Sequence, residues 1–310
     1  MTYSLAIIGG GPAGAAAAVY AARKRLHSIF ITKDWLGQSY VSEGIENWIG
    51  TPKISGLDLS KSLETHAKEY AKGIIDFKEG ELAARIEKSG DVFKITSTKG
   101  SYEARAILIT SGSSRRKLDI PGAAEYENKG IIYCATCDGP LYADQDVAVI
   151  GGGNAGFESA AQLMAYCKSV TLLSRSEYKA DPGTVEAVSK NPKVKLVQFA
   201  APKEIKGDTF VRSLVYTDTK TKKDIELPVT GIFVEIGSFP NTDFVKGLVD
   251  LDQYNRIKVD AHNQRATIIG GGHGIWAAGD VTDGLFHQNN IAAGDAVKAV
   301  EDIYLWLHAK

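Results

Sequence analysis

Two glycine-rich loops, each lying between an apolar stretch and a stretch rich in small residues, constrain the fold of this chain most strongly. The loops at residues 9–14 and 151–156 both read Gly-x-Gly-x-x-Gly. A short apolar run that stops at a glycine predicts a buried parallel strand, and the small residues that follow predict a helix. Such a loop presents bare backbone at a helix N-terminus, which suits a pyrophosphate. The sequence therefore predicts two dinucleotide-binding βαβ units.

The extended runs after each loop repeat in the same order, which predicts two copies of one architecture. Residues 82–112 and 203–237 each predict an antiparallel meander that ends in a buried strand. The tail after residue 243 is too short for a third domain, so we expect it to return to the first. We predict an α/β fold with two Rossmann-like dinucleotide-binding domains, the second inserted into the first. The predicted segments are 1–116 and 243–310 for the outer domain and 117–242 for the inserted one.

Two of the three cysteines stand three positions apart between the glycine loops. Cys134 and Cys137 belong to the sequence Cys-Ala-Thr-Cys-Asp-Gly, and a Cys-x-x-Cys pair without an export signal favours redox chemistry. Asp138 is placed to exchange a proton with a departing thiolate, a general acid/base role. A zinc site would need a second pair or nearby histidines at ligand spacing, so we predict no metal. Cys167 is expected to be an inert buried thiol.

The charge balance argues against two classes of partner. The 36 basic and 37 acidic residues give a formal net charge of −1, so neither nucleic acid nor an anionic membrane is expected to bind by charge alone. No apolar run is long enough to cross a bilayer, and the N-terminus has no basic segment typical of an export signal. We therefore expect a cytoplasmic protein.

The chain resembles the low-molecular-weight thioredoxin reductase family and the related reductase part of alkyl hydroperoxide reductase. The resemblance is carried by both glycine loops, by the segments at residues 37–38 and 46–48, by residues 134–139, and by Gly279-Asp280 with Gln288. It implies a discontinuous FAD domain, an inserted pyridine-nucleotide domain that bears the dithiol, and a homodimer. The implied partner is thioredoxin or a thioredoxin-like protein.

The resemblance also implies roles for individual residues. The first loop would bind FAD, Asp280 would hold the ribityl chain, and Gln288 with Asn289 would lie at the flavin ring. Cys134 would attack the partner's disulfide, and Cys137 would face the flavin. The residues predicted to bind cofactors are Gly9, Gly11, Pro12, Ala13, Gly14, Asp34, Gly37, Gln38, Asn47, Gly279, Asp280, Gln288 and Asn289 on the FAD side, and Gly151, Gly153, Asn154, Ala155, Arg175 and Lys179 on the nucleotide side.

The segment that would select the electron donor departs from the family pattern. The family carries His-Arg-Arg-x-x-x-Arg where this chain has Ser-Arg-Ser-Glu-Tyr-Lys at residues 174–179. Arg175 and Lys179 remain to hold the 2′-phosphate of NADPH, because guanidinium contact is the strong part of such recognition. Glu177 opposes that phosphate and suits a ribose hydroxyl of NADH instead. NADPH is therefore the favoured donor, NADH is an alternative, and relatives with a degraded motif leave ferredoxin or another donor open.

The function predicted from these features is FAD-dependent reduction of a protein disulfide through Cys134 and Cys137. One alternative is a flavoprotein of the same fold that takes its electrons from ferredoxin or another non-nucleotide donor. Another is a non-catalytic redox sensor that binds FAD and signals through its dithiol. A hydride donor and the dithiol cannot both face one side of a flavin, so we expect the inserted domain to rotate about the linkers at residues 112–121 and 237–243.

Overall fold

A computed structural model describes residues 1–42 and 44–309. The strands of these residues are β1 (Thr2–Ile8), β2 (Ser28–Thr32), β3 (Ile75–Glu79), β4 (Ala83–Ser89), β5 (Val92–Ser97), β6 (Ser101–Ile109), β7 (Ser113–Arg115), β8 (Ile131–Ile132), β9 (Asp146–Ile150), β10 (Ser169–Leu173), β11 (Val194–Val197), β12 (Ala200–Gly207), β13 (Val211–Asp218), β14 (Asp224–Pro228), β15 (Gly231–Val234), β16 (Ser238–Pro240) and β17 (Ile275–Ala277). The helices are α1 (Pro12–Arg23), α2 (Gly56–Ala71), α3 (Ala135–Asp138), α4 (Asn154–Leu163), α5 (Pro182–Ser189) and α6 (Asn289–His308).

The chain divides into two compact units. Unit 1 comprises Met1–Glu43, Trp48–Ser114 and Phe239–Lys310, and unit 2 comprises Gly44–Asn47 and Arg115–Ser238. Each unit contains a sheet with parallel strands that is flanked by helices, so the predicted α/β fold with two Rossmann-like domains is confirmed. No helix among the described residues is both long and apolar enough to cross a membrane.

The sheet of unit 1 has the strand order β3-β2-β1-β6-β5-β4, with β17 also paired to β6. β1 lies parallel to β2 and β6, whereas β4, β5 and the first half of β6 form the predicted antiparallel meander. The alanine-rich α1 and the long α6 join one apolar cluster with Phe30 and Trp276, which are fully buried. Small side chains on α1 allow this close approach between helices and sheet, which fixes the end of β1 beside the start of α1.

The sheet of unit 2 has the order β11-β10-β9-β15-β8, and all its pairings are parallel. A separate three-stranded antiparallel sheet, β12-β13-β14, forms the predicted second meander. α4 connects β9 to β10, and its residues Phe157, Ala160 and Leu163 are fully buried. The carboxyl ends of β9 and β15 consequently lie side by side where the strand order reverses.

The segments that connect the units are more ordered than the sequence indicates. Breaker-rich linkers are predicted there, but β7 and β16 pair as a two-stranded sheet. Arg116 N donates to Gly237 O at 3.0 Å, and Asn241 N donates to Gly112 O at 3.0 Å. Strands of three residues are too short to show hydrophobic alternation, so only their mutual pairing identifies them.

One helix ends earlier than predicted. The sequence extends α4 to Tyr166, whereas the helix ends at Leu163. Beyond it, Ala165 N donates to Gln162 O and Tyr166 N to Leu163 O, both at 3.1 Å, so the last turn tightens to i−3 bonds.

Candidate functional site

A disulfide joins Cys134 to Cys137 in unit 2, with their Cα atoms 5.3 Å apart. Cys134 is the N-cap residue of α3, and its Sγ accepts a hydrogen bond from Cys137 N at 3.2 Å. Both residues are partly buried. An N–H donor directed at this sulfur favours its thiolate form after the disulfide is reduced. The pair therefore has the geometry of a redox disulfide: after reduction one cysteine can attack as a thiolate, and the disulfide can then form again.

The surroundings of the disulfide contain both the predicted acid and a buried phenol. Asp138 follows Cys137 and is partly buried, and its N–H donates to Cys134 O at 3.1 Å, so the predicted proton-exchange group stands beside the pair. Tyr133 precedes Cys134, and its hydroxyl donates to Glu127 Oε2 at 3.3 Å. Burial, followed by the charge of Glu127, raises the pKa of Tyr133. This phenol is therefore neutral at any physiological pH.

The third cysteine lies apart from this chemistry. Cys167 is fully buried in an apolar cluster of unit 2, and burial raises the pKa of its thiol to about 11. A thiol with this pKa is protonated at neutral pH and is a poor nucleophile.

The first glycine loop uses its glycines in two different ways. A Cβ at Gly10 would lie 2.2 Å from Asp34 O, and one at Gly14 would lie 1.9 Å from Gly9 O, so both positions require close backbone packing. A Cβ at Gly11 would meet nothing within 4 Å. Gly11 is the N-cap of α1, with no side-chain hydrogen bond to the first turn and with Pro12 following it. The first-turn N–H groups thus lie beside an open backbone surface, which fits a pyrophosphate.

Several predicted FAD residues meet in unit 1 although they are far apart in sequence. Gln38 Nε2 donates to Asp280 Oδ2 at 3.1 Å and to Ser113 Oγ at 3.0 Å. Ser39 Oγ donates to Asn289 Oδ1 at 3.0 Å, which joins the 3₁₀ helix at Gln38–Val41 to the start of α6. These polar groups converge from three separate segments of the chain, as expected for a cofactor site.

The residues around this cluster complete the same region. A Cβ at Gly37 would lie 3.5 Å from Gly11 Cα, and Gly279 packs against Ala13 and Ala292. Gly279 also has a φ of 78°, which favours glycine. Gln288 is the N-cap of α6 and makes no side-chain cap bond.

Two predicted FAD residues lie differently from the rest. Asp34 is exposed, and its Oδ1 accepts a hydrogen bond from Leu36 N at 3.0 Å within a local turn. Asn47 belongs by its contacts to unit 2, within Gly44–Asn47, and not to unit 1. The role of Asn47 at a cofactor site stays a prediction.

The second glycine loop reproduces the first in unit 2. A Cβ at Gly156 would lie 2.1 Å from Gly151 O, whereas one at Gly153 would meet nothing within 4 Å. Gly153 is the N-cap of α4 and makes no side-chain cap bond. Asn154 Oδ1 accepts a hydrogen bond from Asp181 N at 2.8 Å, and Ala155 beside it is exposed. The open backbone at the start of α4 fits a second dinucleotide.

The segment after β10 lies against this loop and carries the candidate donor-selecting charges. Lys179 N donates to Gly152 O at 2.8 Å. Arg175, Glu177 and Lys179 are all exposed. Within residues 1–42 and 44–309, none of the three side chains forms an ion pair. These charged side chains therefore lie beside the glycine loop, where a bound nucleotide can contact them.

Glu235 is a buried carboxylic acid in this region that was not predicted from the sequence. Its N–H donates to Ile150 O at 2.8 Å, and its Oε1 accepts from Ser159 Oγ at 2.7 Å. Burial raises the pKa of its carboxyl to about 7, against the opposing effects of Ser159 and Arg115. The signal was present in the sequence, since Glu235 is the single charged residue in the apolar run 231–237.

No group of three or more His, Cys, Asp or Glu side chains that could hold a metal occurs in the described part of the chain.

Comparison with known proteins shows extensive similarity. A sequence model of the family described as "Pyridine nucleotide-disulphide oxidoreductase" matches residues 3–299. The chain is 38% identical over 299 residues to an "NADH dehydrogenase" of Bacillus subtilis, covering 96% of this chain and 57% of that protein. It is 36% identical over 300 residues to an alkyl hydroperoxide reductase protein of Pseudomonas aeruginosa, with coverages of 96% and 57%. The chain thus spans just over half the length of these curated relatives.

The fold also matches solved structures over its whole length. Thioredoxin reductase from Streptococcus pyogenes has a TM-score of 0.90 and 32% identity, and the match covers 100% of this chain and 99% of that one. The two glycine loops and the Cys-x-x-Cys pair thus lie within a chain that is similar throughout to a pyridine nucleotide-disulphide oxidoreductase.

Proposed function

Because the chain belongs to the pyridine nucleotide-disulphide oxidoreductase family, we propose that it is a thioredoxin reductase-like flavoprotein that reduces a protein disulfide. Proteins of this type use FAD and a pyridine nucleotide. The observation that carries the proposal is the Cys134–Cys137 disulfide, which lies in the same unit as an open glycine loop. FAD, when bound, supplies a two-electron carrier between the nucleotide and this disulfide.

The residues of unit 1 that would hold FAD are those that the fold brings together. Gly11 and the uncapped first turn of α1 would take the pyrophosphate. Asp280, oriented by Gln38, would accept hydrogen bonds from the ribityl hydroxyls. Gln288 and Asn289 at the start of α6 would lie at the ring system.

The reduced dithiol would transfer its electrons by thiol–disulfide exchange. The Cys134 thiolate attacks one sulfur of the partner's disulfide, which forms a mixed disulfide and releases the other partner sulfur as a thiolate. The Cys137 thiolate then attacks Cys134 Sγ, so that the Cys134–Cys137 bond forms and the second partner sulfur leaves. The partner gains two electrons and two protons, and the Cys pair loses two electrons. Asp138 is placed to exchange a proton with the Cys137 thiol.

We propose that the partner is thioredoxin or a thioredoxin-like protein, and that this chain reduces it as a homodimer. Support comes from the solved structures named thioredoxin reductase, which match this chain from end to end. The relatives named alkyl hydroperoxide reductase are longer than this chain.

The donor that we propose is NADH, and NADPH, which the sequence alone favours, is the second candidate. Exposed Glu177 stands in the segment after β10, where an acidic residue accepts bonds from a ribose diol and repels a 2′-phosphate. Curated relatives named NADH dehydrogenase support the same choice. Arg175 and Lys179 favour NADPH instead, because both cations are exposed and form no ion pair with a described residue.

The proposal is tested by anaerobic bleaching of the flavin with NADH, NADPH and reduced ferredoxin, each offered separately. We expect rapid bleaching by a pyridine nucleotide and turnover of a thioredoxin disulfide in the same preparation. Bleaching by ferredoxin alone would exclude a nucleotide donor. Bleaching without turnover of any protein disulfide would instead indicate a redox sensor.

A further inference from the structure

Glu235 places a carboxyl group where a sheet of this kind binds its ligand. The strand order of unit 2 reverses between β9 and β15, because the chain leaves β9 through α4 to β10 on one side while β15 lies on the other. In open parallel sheets, ligands bind at such a reversal, beyond the carboxyl ends of the strands. Glu235 directly follows β15, and its N–H donates to Ile150 O at the end of β9.

The side chain of Glu235 lies against both the glycine loop and α4. A Cβ on Gly151 would lie 3.2 Å from Glu235 Cβ. Glu235 Oε1 accepts a hydrogen bond from Ser159 Oγ at 2.7 Å, and Ser159 is a buried residue of α4. Since a helix rises 1.5 Å per residue, this contact lies about 7–8 Å along α4 from its first residue, Asn154. The carboxyl is thus close to the helix N-terminus where a pyrophosphate would bind.

We propose that Glu235 is a positioning residue that couples dinucleotide binding in unit 2 to the uptake of a proton by its carboxyl group. The inference rests on the proposed function, because it requires the loop at residues 151–156 to bind a pyrophosphate. That ligand brings negative charge to the start of α4, where both the ligand and an ionised Glu235 are stabilised by the same helix dipole. The two negative charges also repel each other, and the poorly hydrated protein between them screens this repulsion little. Protonation of Glu235 removes the repulsion and preserves a hydrogen bond with Ser159.

The charges that face Glu235 are few. Arg115 of β7 favours the ionised form, and Glu158 of α4 opposes it. β9 and the glycine loop contribute no charged side chain between Val147 and Phe157. Burial outweighs the favourable groups and raises the pKa of Glu235 to about 7. The carboxyl is therefore divided between its two forms at physiological pH, and a bound anion shifts it towards the protonated form.

The ionisation of Glu235 makes the affinity for a dinucleotide depend on pH. Below pH 7 the carboxyl is mostly neutral, so nucleotide binding changes its charge little. Above pH 7 it is mostly ionised, and binding must either take up a proton or tolerate the repulsion. Affinity for a dinucleotide is therefore expected to fall as the pH rises through 7, by about 5- to 10-fold between pH 6 and pH 9.

The test is calorimetric titration of the FAD-loaded protein with NAD⁺ between pH 6 and pH 9. NAD⁺ carries the same pyrophosphate, cannot reduce the flavin and has no phosphate that titrates in this range. At each pH, the binding enthalpy is measured in two buffers of different ionisation enthalpy, which gives the number of protons taken up. We expect uptake of a substantial fraction of one proton near pH 8 in the wild type and none in Glu235→Gln, whose amide oxygen keeps an acceptor for Ser159.

Two further variants separate this role from a structural one. Glu158→Gln removes a charge that raises the pKa of Glu235, so it should retain the proton uptake of the wild type and move the midpoint of the affinity profile to lower pH. Ser159→Ala removes a hydrogen bond that favours the ionised form, so it should move the midpoint of the affinity profile to higher pH. Equal proton uptake and equal pH profiles in the wild type and Glu235→Gln would overturn the inference. Absence of binding of both NAD⁺ and NADP⁺ at pH 6, in the wild type and in Glu235→Gln, would instead overturn the nucleotide site itself.

Discussion

Gln38 Nε2 donates a hydrogen bond to Asp280 Oδ2 at 3.1 Å, across 242 residues of sequence. The bond joins the first segment of unit 1 to the segment that returns after unit 2. Gln38 also donates to Ser113 at the end of unit 1's second segment, so one amide group ties together all three parts of the unit. This polar cluster therefore requires the three segments of unit 1 to fold together.

Replacing Asp280 by Ala should weaken FAD retention. The change removes the acceptor of Gln38 and the carboxylate proposed to hold the ribityl hydroxyls, and hydrogen bonds to a charged group contribute about 1.5–3 kcal/mol each. We expect FAD to dissociate at least about 10-fold more readily, measured by flavin fluorescence after dilution. The matched control is Asp243→Ala, because that aspartate side chain is 90% exposed. Equal FAD retention in the two variants would contradict the role of Asp280.

Replacing Cys134 or Cys137 by Ser should abolish disulfide reduction, by on the order of 1,000-fold or more, because each thiol is needed to complete the exchange. Both variants should remain yellow and FAD-loaded, since neither cysteine lies in unit 1. Cys167→Ser is the control, because that thiol is buried and protonated at neutral pH. The measurement is turnover of a thioredoxin disulfide. Full activity of either single variant at the Cys pair would exclude the mechanism.

Two alanine substitutions in the second loop should have opposite effects. Gly156→Ala places a Cβ 2.1 Å from Gly151 O, so it should cost about 1–3 kcal/mol of folding free energy and lower the melting temperature by several degrees. Gly153→Ala meets no atom within 4 Å, and Gly153 has an ordinary φ of −98°, so the melting temperature should not change. Gly153→Ala should instead weaken nucleotide binding about 10-fold or more, because the new methyl group occupies the open backbone surface. A destabilised Gly153→Ala with normal nucleotide affinity would contradict this assignment.

The charges after β10 should separate the two candidate donors. Arg175→Ala should raise the KM for NADPH by about 5- to 50-fold while changing that for NADH little, because guanidinium contacts with phosphate contribute about 1–2 kcal/mol or more. Glu177→Gln should do the reverse and raise the KM for NADH. Steady-state kinetics with both nucleotides gives the ratio directly. If both variants changed both KM values equally, this segment would not select the donor.

Glu235→Gln should make the protein more stable in alkaline solution. The pKa of Glu235 is raised from 4.5 to about 7 by burial, so the folded state favours the protonated form. In the wild type, the stabilisation of the folded state that follows from this raised pKa is fully present below pH 4.5. It is lost as the pH rises towards 7, at a cost of up to about 3 kcal/mol in the free energy of unfolding. The difference in melting temperature between variant and wild type should therefore grow between pH 5 and pH 8. A constant difference would mean that Glu235 is ionised throughout.

The sequence predicted those elements of the fold whose residues follow a clear local pattern. The strands β1 and β9 that stop at a glycine, the small-residue helices α1 and α4 that follow them, and the meander from β4 to β6 all carry strong local patterns, and the structure has them where they were expected. The paired linkers β7 and β16 were predicted as loops, because three residues are too few to show a periodicity from which a strand can be recognised. The pairing of segments that lie more than 100 residues apart depends on the tertiary fold and leaves no local pattern in the sequence.

The candidate site was predictable where a motif carried it. The glycine loops and the Cys pair are local patterns, so their residues could be named in advance. The Gln38–Asp280 contact and the Ser159–Glu235 contact join different segments, and nothing local to either residue reveals the partner.

Electrons from a nucleotide that reach the Cys134–Cys137 disulfide can be counted directly by an anaerobic titration. The FAD-loaded wild type and the Cys134→Ser/Cys137→Ser double variant are titrated with NADH or NADPH while flavin absorbance and free thiols are followed. We expect the wild type to take up four electrons per FAD and to gain two titratable thiols, and the double variant to take up two electrons and gain none. Uptake of only two electrons by the wild type, with its disulfide still intact, would exclude electron transfer from the flavin to the Cys pair.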